Sequence, residues 1–194
     1  KKIILCLGKN YEDNLNIKKY SFPSLHKSYV GFFEHSIDHN QTAYETFTPE
    51  GPLAILPSPN QFKKRSTFIY STSKKISDID IQKLIKNFFS KTHGIINFKK
   101  EINQYKILPH LSKDKFNNFI LIGDILRSIH PVAGQGWNLG IKDIQTFITL
   151  LKIYNINDPS LSEKYYSQRS IESFTYLSFT TLINKIYENQ NLLN

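Results

Sequence analysis

A chain of 194 residues can bury about 70% of the surface it exposes when unfolded, enough for one good core or two small ones. Its hydrophobic fraction of 40% and aromatic fraction of 13% are those of a soluble globular protein, and no apolar run nears the ~20 residues of a membrane span. The formal charge of +9 is scattered as pairs (Lys18-Lys19, Lys63-Lys64, Lys74-Lys75, Lys99-Lys100) rather than gathered into a patch with interleaved aromatics, which argues against nucleic acid.

Attraction to an anionic membrane surface fits that charge better. No signal peptide is expected from the first residues given. Cys6 is the single cysteine, so there is no internal disulfide framework, and a reducing, cytoplasmic compartment is expected. Methionine is absent and the chain starts abruptly in an apolar run, Ile3-Ile4-Leu5-Cys6-Leu7, so we expect a fragment lacking its N-terminal part.

Lys2–Gly8 reads as a strand ending in glycine, and the polar stretch from Tyr11 to Leu25 as a connection. Between Ser28 and Ser71 the pattern is short strands: Tyr29–Glu34, Thr42–Thr48, Leu53–Leu56 and Thr67–Ser71. Asn, Gly and Pro punctuate them, which suggests a meandering antiparallel sheet. His35 and His39 have a spacing that would suit metal ligands on a helix. Their neighbours read as strand and turn, and no Cys or carboxylate cluster completes a tetrahedral set, so no metal is expected and both read as polar turn residues.

Ser77–Thr92 reads as a helix capped by Ser77 or Asp78, with Ile79, Ile81, Leu84, Ile85 and Phe88 as its apolar stripe. Ile95 to Leu108 returns as extended chain. Asn155–Pro159 breaks the pattern, and Leu161 to Leu193 reads as one or two helices in which Tyr165 and Arg169 share a face. No repeat or low-complexity tract is present.

The stretch around which the chain is organised runs from Asn117 to Lys152. Phe119–Ile122 suits a buried strand ending in Gly123-Asp124. A loop leads to Pro131 and to the small-residue turn Ala133-Gly134-Gln135-Gly136. Beyond it Trp137, Ile141, Ile144, Ile148 and Leu151 fall at the four-and-three spacing of one helix face. Gly134 and Gly136 therefore sit at a helix N-terminus, where backbone N–H groups lack intrahelical partners and carry partial positive charge. Such a site suits a planar, partly anionic group, although an ordinary strand–loop–helix connection has the same spacing. The dinucleotide fingerprint puts its glycines directly after the strand, and a Walker loop needs Gly-Lys-Ser/Thr; neither pattern is present here.

The motifs Gly123-Asp124, His130-Pro131 and Gly134-Gln135-Gly136-Trp137-Asn138-Leu139-Gly140 resemble the second flavin-contacting motif of FAD-dependent aromatic hydroxylases, and most of all the ubiquinone-biosynthesis hydroxylases. The span His35, His39, Thr42-Ala43-Tyr44-Glu45, Phe47, Gly51-Pro52, Ala54 and Leu56-Pro57 resembles the same family's substrate sheet, far from the first match. The family has Ala-Ala-His where this chain has Ile125, Leu126 and Arg127, and Ala-Asp-Gly where it has Cys6, Leu7 and Gly8.

The resemblance implies an α+β, para-hydroxybenzoate-hydroxylase-like fold, an α/β flavin-domain remnant with an inserted antiparallel sheet. Expected parts are residues 1–24 and 109–155 as flavin-domain segments, 25–108 as a substrate-binding sheet with one helix, and 156–194 as C-terminal helices. It implies FAD as cofactor, NAD(P)H as reductant, and molecular oxygen and a polyprenylated phenol as substrates. Peripheral association with a membrane or a biosynthetic complex would follow.

Gly123, Asp124, Pro131, Gly134, Gln135, Gly136, Trp137 and Asn138 would hold the cofactor, with Asp124 on its ribityl hydroxyls. Pro131 and His130 would border the flavin edge. The glycine-rich loop for the ADP half would lie upstream of residue 1. Two alternatives stay open: another FAD-dependent aromatic hydroxylase or reductase, or a non-catalytic basic binding module.

Overall fold

The computed structural model describes residues 2–9, 15, 17–22, 24–99, 101–114, 118–131 and 134–188. Strands β1 (Ile3–Leu5) and β2 (Ile17–Ser21) precede β3 (Lys27–His35), β4 (Tyr44–Thr48), β5 (Gly51–Pro57) and β6 (Arg65–Thr72). Helix α1 (Asp78–His93) follows. Then come β7 (Ile96–Phe98), β8 (Asn103–Lys106), β9 (His110–Asp114), β10 (Phe119–Leu121) and β11 (Arg127–Ser128). Helices α2 (Gly136–Leu151) and α3 (Pro159–Glu188) complete a mixed α and β chain. It divides into two compact units, one of Lys1–Ser24 with Leu108–Ile183, the other of Leu25–Ile107 with Asn184–Asn194.

The second unit is built on an antiparallel sheet in the order β4-β5-β6-β3-β7, with β8 also on β3. Only β4, β5 and β6 run as a meander. β3 pairs with β6, Tyr29 opposite Tyr70, instead of lying beside β4 as a simple meander requires. Alternate residues point inward, so Tyr29, Phe33, Leu53, Ile55, Phe68 and Tyr70 form one buried face.

Helix α1 lies against this face. The Ser77 side chain accepts the Asp80 N–H and donates to the Asp80 carboxylate, a reciprocal cap on the first turn. Its buried row is Ile81, Ile85, Phe89 and His93, in steps of four. Ile79 and Phe88, expected in the apolar stripe, are exposed. Neither falls on that row of four-residue steps.

His35 and His39 are not turn residues at the surface; with His93 they form a buried cluster. The rings of His35 and His93 meet edge-on with centroids 4.7 Å apart, and His39 stands 6.1 Å from His35. His35 donates from Nδ1 to the Ile37 carbonyl (2.7 Å) and accepts the Ser66 hydroxyl at Nε2 (3.0 Å). Among the described residues no group of three His, Cys, Asp or Glu side chains is placed to hold a metal ion. The Nε2 atoms of His39 and His93 are buried without a partner. Burial, reinforced by the neighbouring His35, pushes the His93 imidazole down from 6.5 to about 4.

In the first unit β1 and β10 form a parallel pair, Ile4 opposite Ile120, while β2, β9 and β11 form a separate antiparallel sheet. β2 falls in the stretch read as a connection. It is a mostly exposed strand without apolar alternation, so it carries no period to detect. Residues 11–14, 16 and 23 of that stretch lie outside the described residues.

α3 is one helix, and residues 189–194, including Leu193, lie outside the described residues. Two of its tyrosines serve the edge of β10 that faces away from β1. Tyr165 donates to the Leu121 carbonyl (2.7 Å), and Tyr166 donates to the Phe119 carbonyl (2.8 Å) and accepts the Leu121 N–H (3.3 Å). Two phenols thus take the place of a strand, and their burial raises both above the usual phenol range. Ile120, Leu121, Ile125, Phe147, Leu161 and Tyr165 form the core beneath them.

Helix α2 buries Leu139, Asp143, Phe147 and Leu150. The stripe read from the sequence, Trp137, Ile141, Ile144, Ile148 and Leu151, does share one face, but that face is exposed, Trp137 to 78%. Among the described residues no helix is long and apolar enough to cross a membrane.

The histidine cluster makes the fold acid-sensitive. As pH falls below about 6.5 the unfolded chain binds protons that native His93 refuses until about 4. Stability is therefore lost across that window, on the order of 3 kcal/mol for the full shift. Urea titrations between pH 7 and 4.5 should show a falling midpoint, and His93→Leu should flatten that dependence. An equal slope in wild type and variant would exclude His93 as its source.

Candidate functional site

β10 delivers the chain to Gly123, which adopts φ +74° and opens a 3-10 turn, Gly123–Ile125. A side chain there would be strained, because L residues pay about 1–2 kcal/mol in the left-handed region. The turn packs on α2: a Cβ on Gly140 would be in ordinary contact with the Gly123 Cα, at 3.8 Å. Gly134 repeats the device at φ +59° just before the helix. Gln135 and Asn138 bond to each other there (2.8 Å), and Gln135 makes no side-chain cap. The first-turn N–H groups of α2 are thus left to whatever lies in front of them.

In front of them is a cavity of about 240 Å³. Complete ligand sites run to roughly 300–1,000 Å³, so this one is the size of one end of a larger ligand's site. Gly123, Asp124, Pro131, Gly134 and Gly136, all expected from the sequence, line it. Arg127, Ser128, Ile129, Leu139 and Gly140 complete the wall. His130, Gln135, Trp137 and Asn138 do not line it: His130 is buried, while Trp137 points along the exposed face of α2. Ala133 lies outside the described residues.

A buried ionic network holds this geometry. The Asp143 carboxylate, fully buried on α2, accepts three donors: the Gly123 N–H (2.9 Å), Arg127 Nη2 (2.6 Å) and Arg169 Nε (2.7 Å). Arg127 Nη2 also donates to the Leu139 carbonyl (2.9 Å), and Arg169 pairs with Glu172, which Lys142 meets at 2.6 Å. These partners hold Glu172 below the usual carboxylate range despite the opposing cost of its burial. One carboxylate therefore ties the Gly123 turn, β11, α2 and α3 together.

The other support is His110 on β9. Its Nε2 donates to the Asp124 carbonyl (3.0 Å), and burial lowers its pKa and favours the neutral ring. Neither Asp143 nor His110 was singled out from the sequence. Asp143 could have been noticed, since it falls between Leu139 and Phe147 at four-residue steps on the buried side. At the sequence level Arg127 is only a departure from the family pattern, yet here it is the ion-pair partner of Asp143.

A profile of the FAD-binding domain matches residues 27–174. The chain belongs to the FAD-binding domain family. It is 26% identical over 172 residues to the ubiquinone hydroxylase UbiL of Rhodospirillum rubrum, a match spanning 80% of this chain and 39% of that protein. It is 28% identical over 145 residues to the 3-demethoxyubiquinol 3-hydroxylase of Escherichia coli, spanning 67% of this chain and 33% of that one. The chain thus spans well under half the length of these curated relatives. Among solved structures, p-nitrophenol 4-monooxygenase PnpA of Pseudomonas putida superposes with a TM-score of 0.69 at 14% identity, covering 98% of this chain and 51% of that one. That likeness shows a shared fold.

The residues present fit the cofactor that gives the FAD-binding domain its name. A Cβ built on Gly123, Gly134 or Gly136 meets nothing within 4 Å, so a planar ring can lie directly against the backbone there. Opening the network should be costly, because removing one partner leaves buried charge uncompensated. Asp143→Ala is expected to destabilise the chain by about 3–5 kcal/mol. Thermal denaturation would show this; a melting temperature within a degree or two of wild type would mean that the network does not hold the site.

Proposed function

We propose that this chain carries the flavin-ring end of the site in an FAD-dependent monooxygenase that hydroxylates the aromatic ring of a polyprenylated phenol in ubiquinone biosynthesis. The observation that carries the reading is the cavity itself: bare backbone at Gly123, Gly134 and Gly136, beside Asp124, at the N-terminus of a sixteen-residue helix in a chain of the FAD-binding domain family. The names of the relatives, ubiquinone hydroxylase among them, support the substrate class.

Bound FAD, reduced by NAD(P)H, supplies the oxygen-activating chemistry. The chain's own residues do the placing. N–H groups in the first turn of α2 are preorganised dipoles facing the cavity, suited to the negative charge that reduction brings to the ring. Asp124 offers a charge-assisted acceptor to ribityl hydroxyls, its backbone fixed by His110. Pro131 presents an apolar, donor-free edge that keeps water from the ring. The resemblance assigns substrate recognition to the antiparallel sheet of the second unit.

The reading includes a structural corollary: the polypeptide that grips the ADP half of FAD is a further part of the flavin domain. The 240 Å³ cavity and the exposed stripe on α2 are what a part-domain would show. This chain by itself is therefore expected to hold FAD weakly, and the natural polypeptide tightly. Purified natural polypeptide should be yellow, be bleached by NAD(P)H and regain its colour in air, with turnover on a polyprenylated phenol. Gly134→Val, which fills the space before the helix, should weaken FAD binding at least tenfold. Colourless protein that takes up no added FAD would sink the reading.

A further inference from the structure

Arg127 stands in the cavity wall with its guanidinium only partly paired. Nη2 donates to Asp143 and to the Leu139 carbonyl, whereas Nε and Nη1 are buried without a partner. The side chain is 2% exposed, so bulk water does not compensate them. A guanidinium in a protein keeps its proton, and a buried charge with unmet donors is costly.

The charges around it do not balance. Asp143 is shared, because its Oδ1 meets both Arg127 and Arg169. Arg169 has a second carboxylate in Glu172, which Lys142 also meets. Three cations, Arg127, Arg169 and Lys142, thus face two carboxylates, Asp143 and Glu172, and one positive charge is left over. Arg127 is the member of that set that lines the cavity. Asp124 lines it too, but is exposed, and water and salt screen it. The titratable neighbours His110 and Tyr165 are neutral, since burial disfavours charge on either ring.

We infer that Arg127 sets the electrostatics of the flavin site, its uncompensated charge favouring the reduced, anionic ring over the oxidised, neutral one. The inference rests on the flavin reading above. A hydride from NAD(P)H brings two electrons and the proton that ends on ring N5. NAD(P)+ leaves, and the ring keeps one negative charge over N1 and O2. In a wall shielded from water a fixed cation acts on that charge far more strongly than in solution, and it needs no hydrogen bond to do so. The α2 N-terminus pulls the same way, but with a partial charge where Arg127 carries a whole one. The reduced ring in turn supplies the counter-charge that the network lacks.

The reduction potential of FAD bound to the natural polypeptide reads this effect. Arg127→Gln keeps a donor for Asp143 and removes the charge. It should lower the preference for the reduced ring at least tenfold, which for two electrons is a drop of about 30 mV. Arg127→Lys keeps the charge without the fork and should recover most of that loss. In wild type the potential should fall by about 30 mV per pH unit above neutrality, because one proton accompanies two electrons.

Equal potentials in wild type and Arg127→Gln would overturn the inference. So would a Lys variant no better than the Gln variant, which would make the shape of the guanidinium the cause and not its charge. A wild-type slope of about 60 mV per pH unit would overturn it even if neither variant folded, since a neutral reduced ring gains nothing from the cation. Natural polypeptide that takes up no FAD would refute the flavin reading and this inference together; bound flavin with unchanged potentials would refute the inference alone.

Discussion

Asp143 is the constraint on which the first unit depends. A fully buried carboxylate with three donors is expensive to desolvate, and a pair of this kind adds little net stability over a well-packed apolar alternative. What it supplies is position. Its two oxygens bind different elements, Oδ2 the Gly123 turn and Oδ1 the guanidiniums of β11 and α3. The direction of α2 relative to the end of β10 is thereby fixed, and that direction sets where the helix N-terminus faces. The network thereby places four glycines, Gly123, Gly134, Gly136 and Gly140, in the wall of one cavity.

Most of the elements were legible because their signals are local. Ser77 followed by an acidic first turn marks a helix start, and the apolar run Phe119–Ile122 marks a buried strand. Strand order was not legible, since nothing local in β3 says that it pairs with β6 rather than β4. β2 escaped notice for the opposite reason: an exposed strand with lysines has no apolar period. The histidines misled because polar residues at a strand end look like turn residues, whereas burial is decided by α1 returning to cover them.

The site divides along the same line. Glycines before a helix are visible in sequence, since their conformational role is fixed by the chain around them. Gly123, Gly134 and Gly136 accordingly proved to be cavity residues. Gln135, Trp137 and Asn138 belong to the same motif but point elsewhere, because neighbours in a helix's first turn are spread around its axis. Charged residues such as Asp143 and Arg127 read as solvent-facing by default, and only the packing of α3 turns them into an interior network.

A site whose donors are backbone N–H groups places few demands on side-chain identity. It needs a glycine where φ is positive, a helix that begins in the right place and nothing bulky in between. That tolerance explains how a lysine-, asparagine- and isoleucine-rich chain keeps the arrangement while replacing the family's Ala-Ala-His with Ile125, Leu126 and Arg127. The first two replacements are buried and add apolar volume beneath the turn. The third brings a guanidinium to a carboxylate that already holds the turn, and so ties the altered segment to the same fixed point. The departure sits where the structure can absorb it, Ile125 and Leu126 in the core and Arg127 in the cavity wall, and leaves the space at Gly123, Gly134 and Gly136 unobstructed.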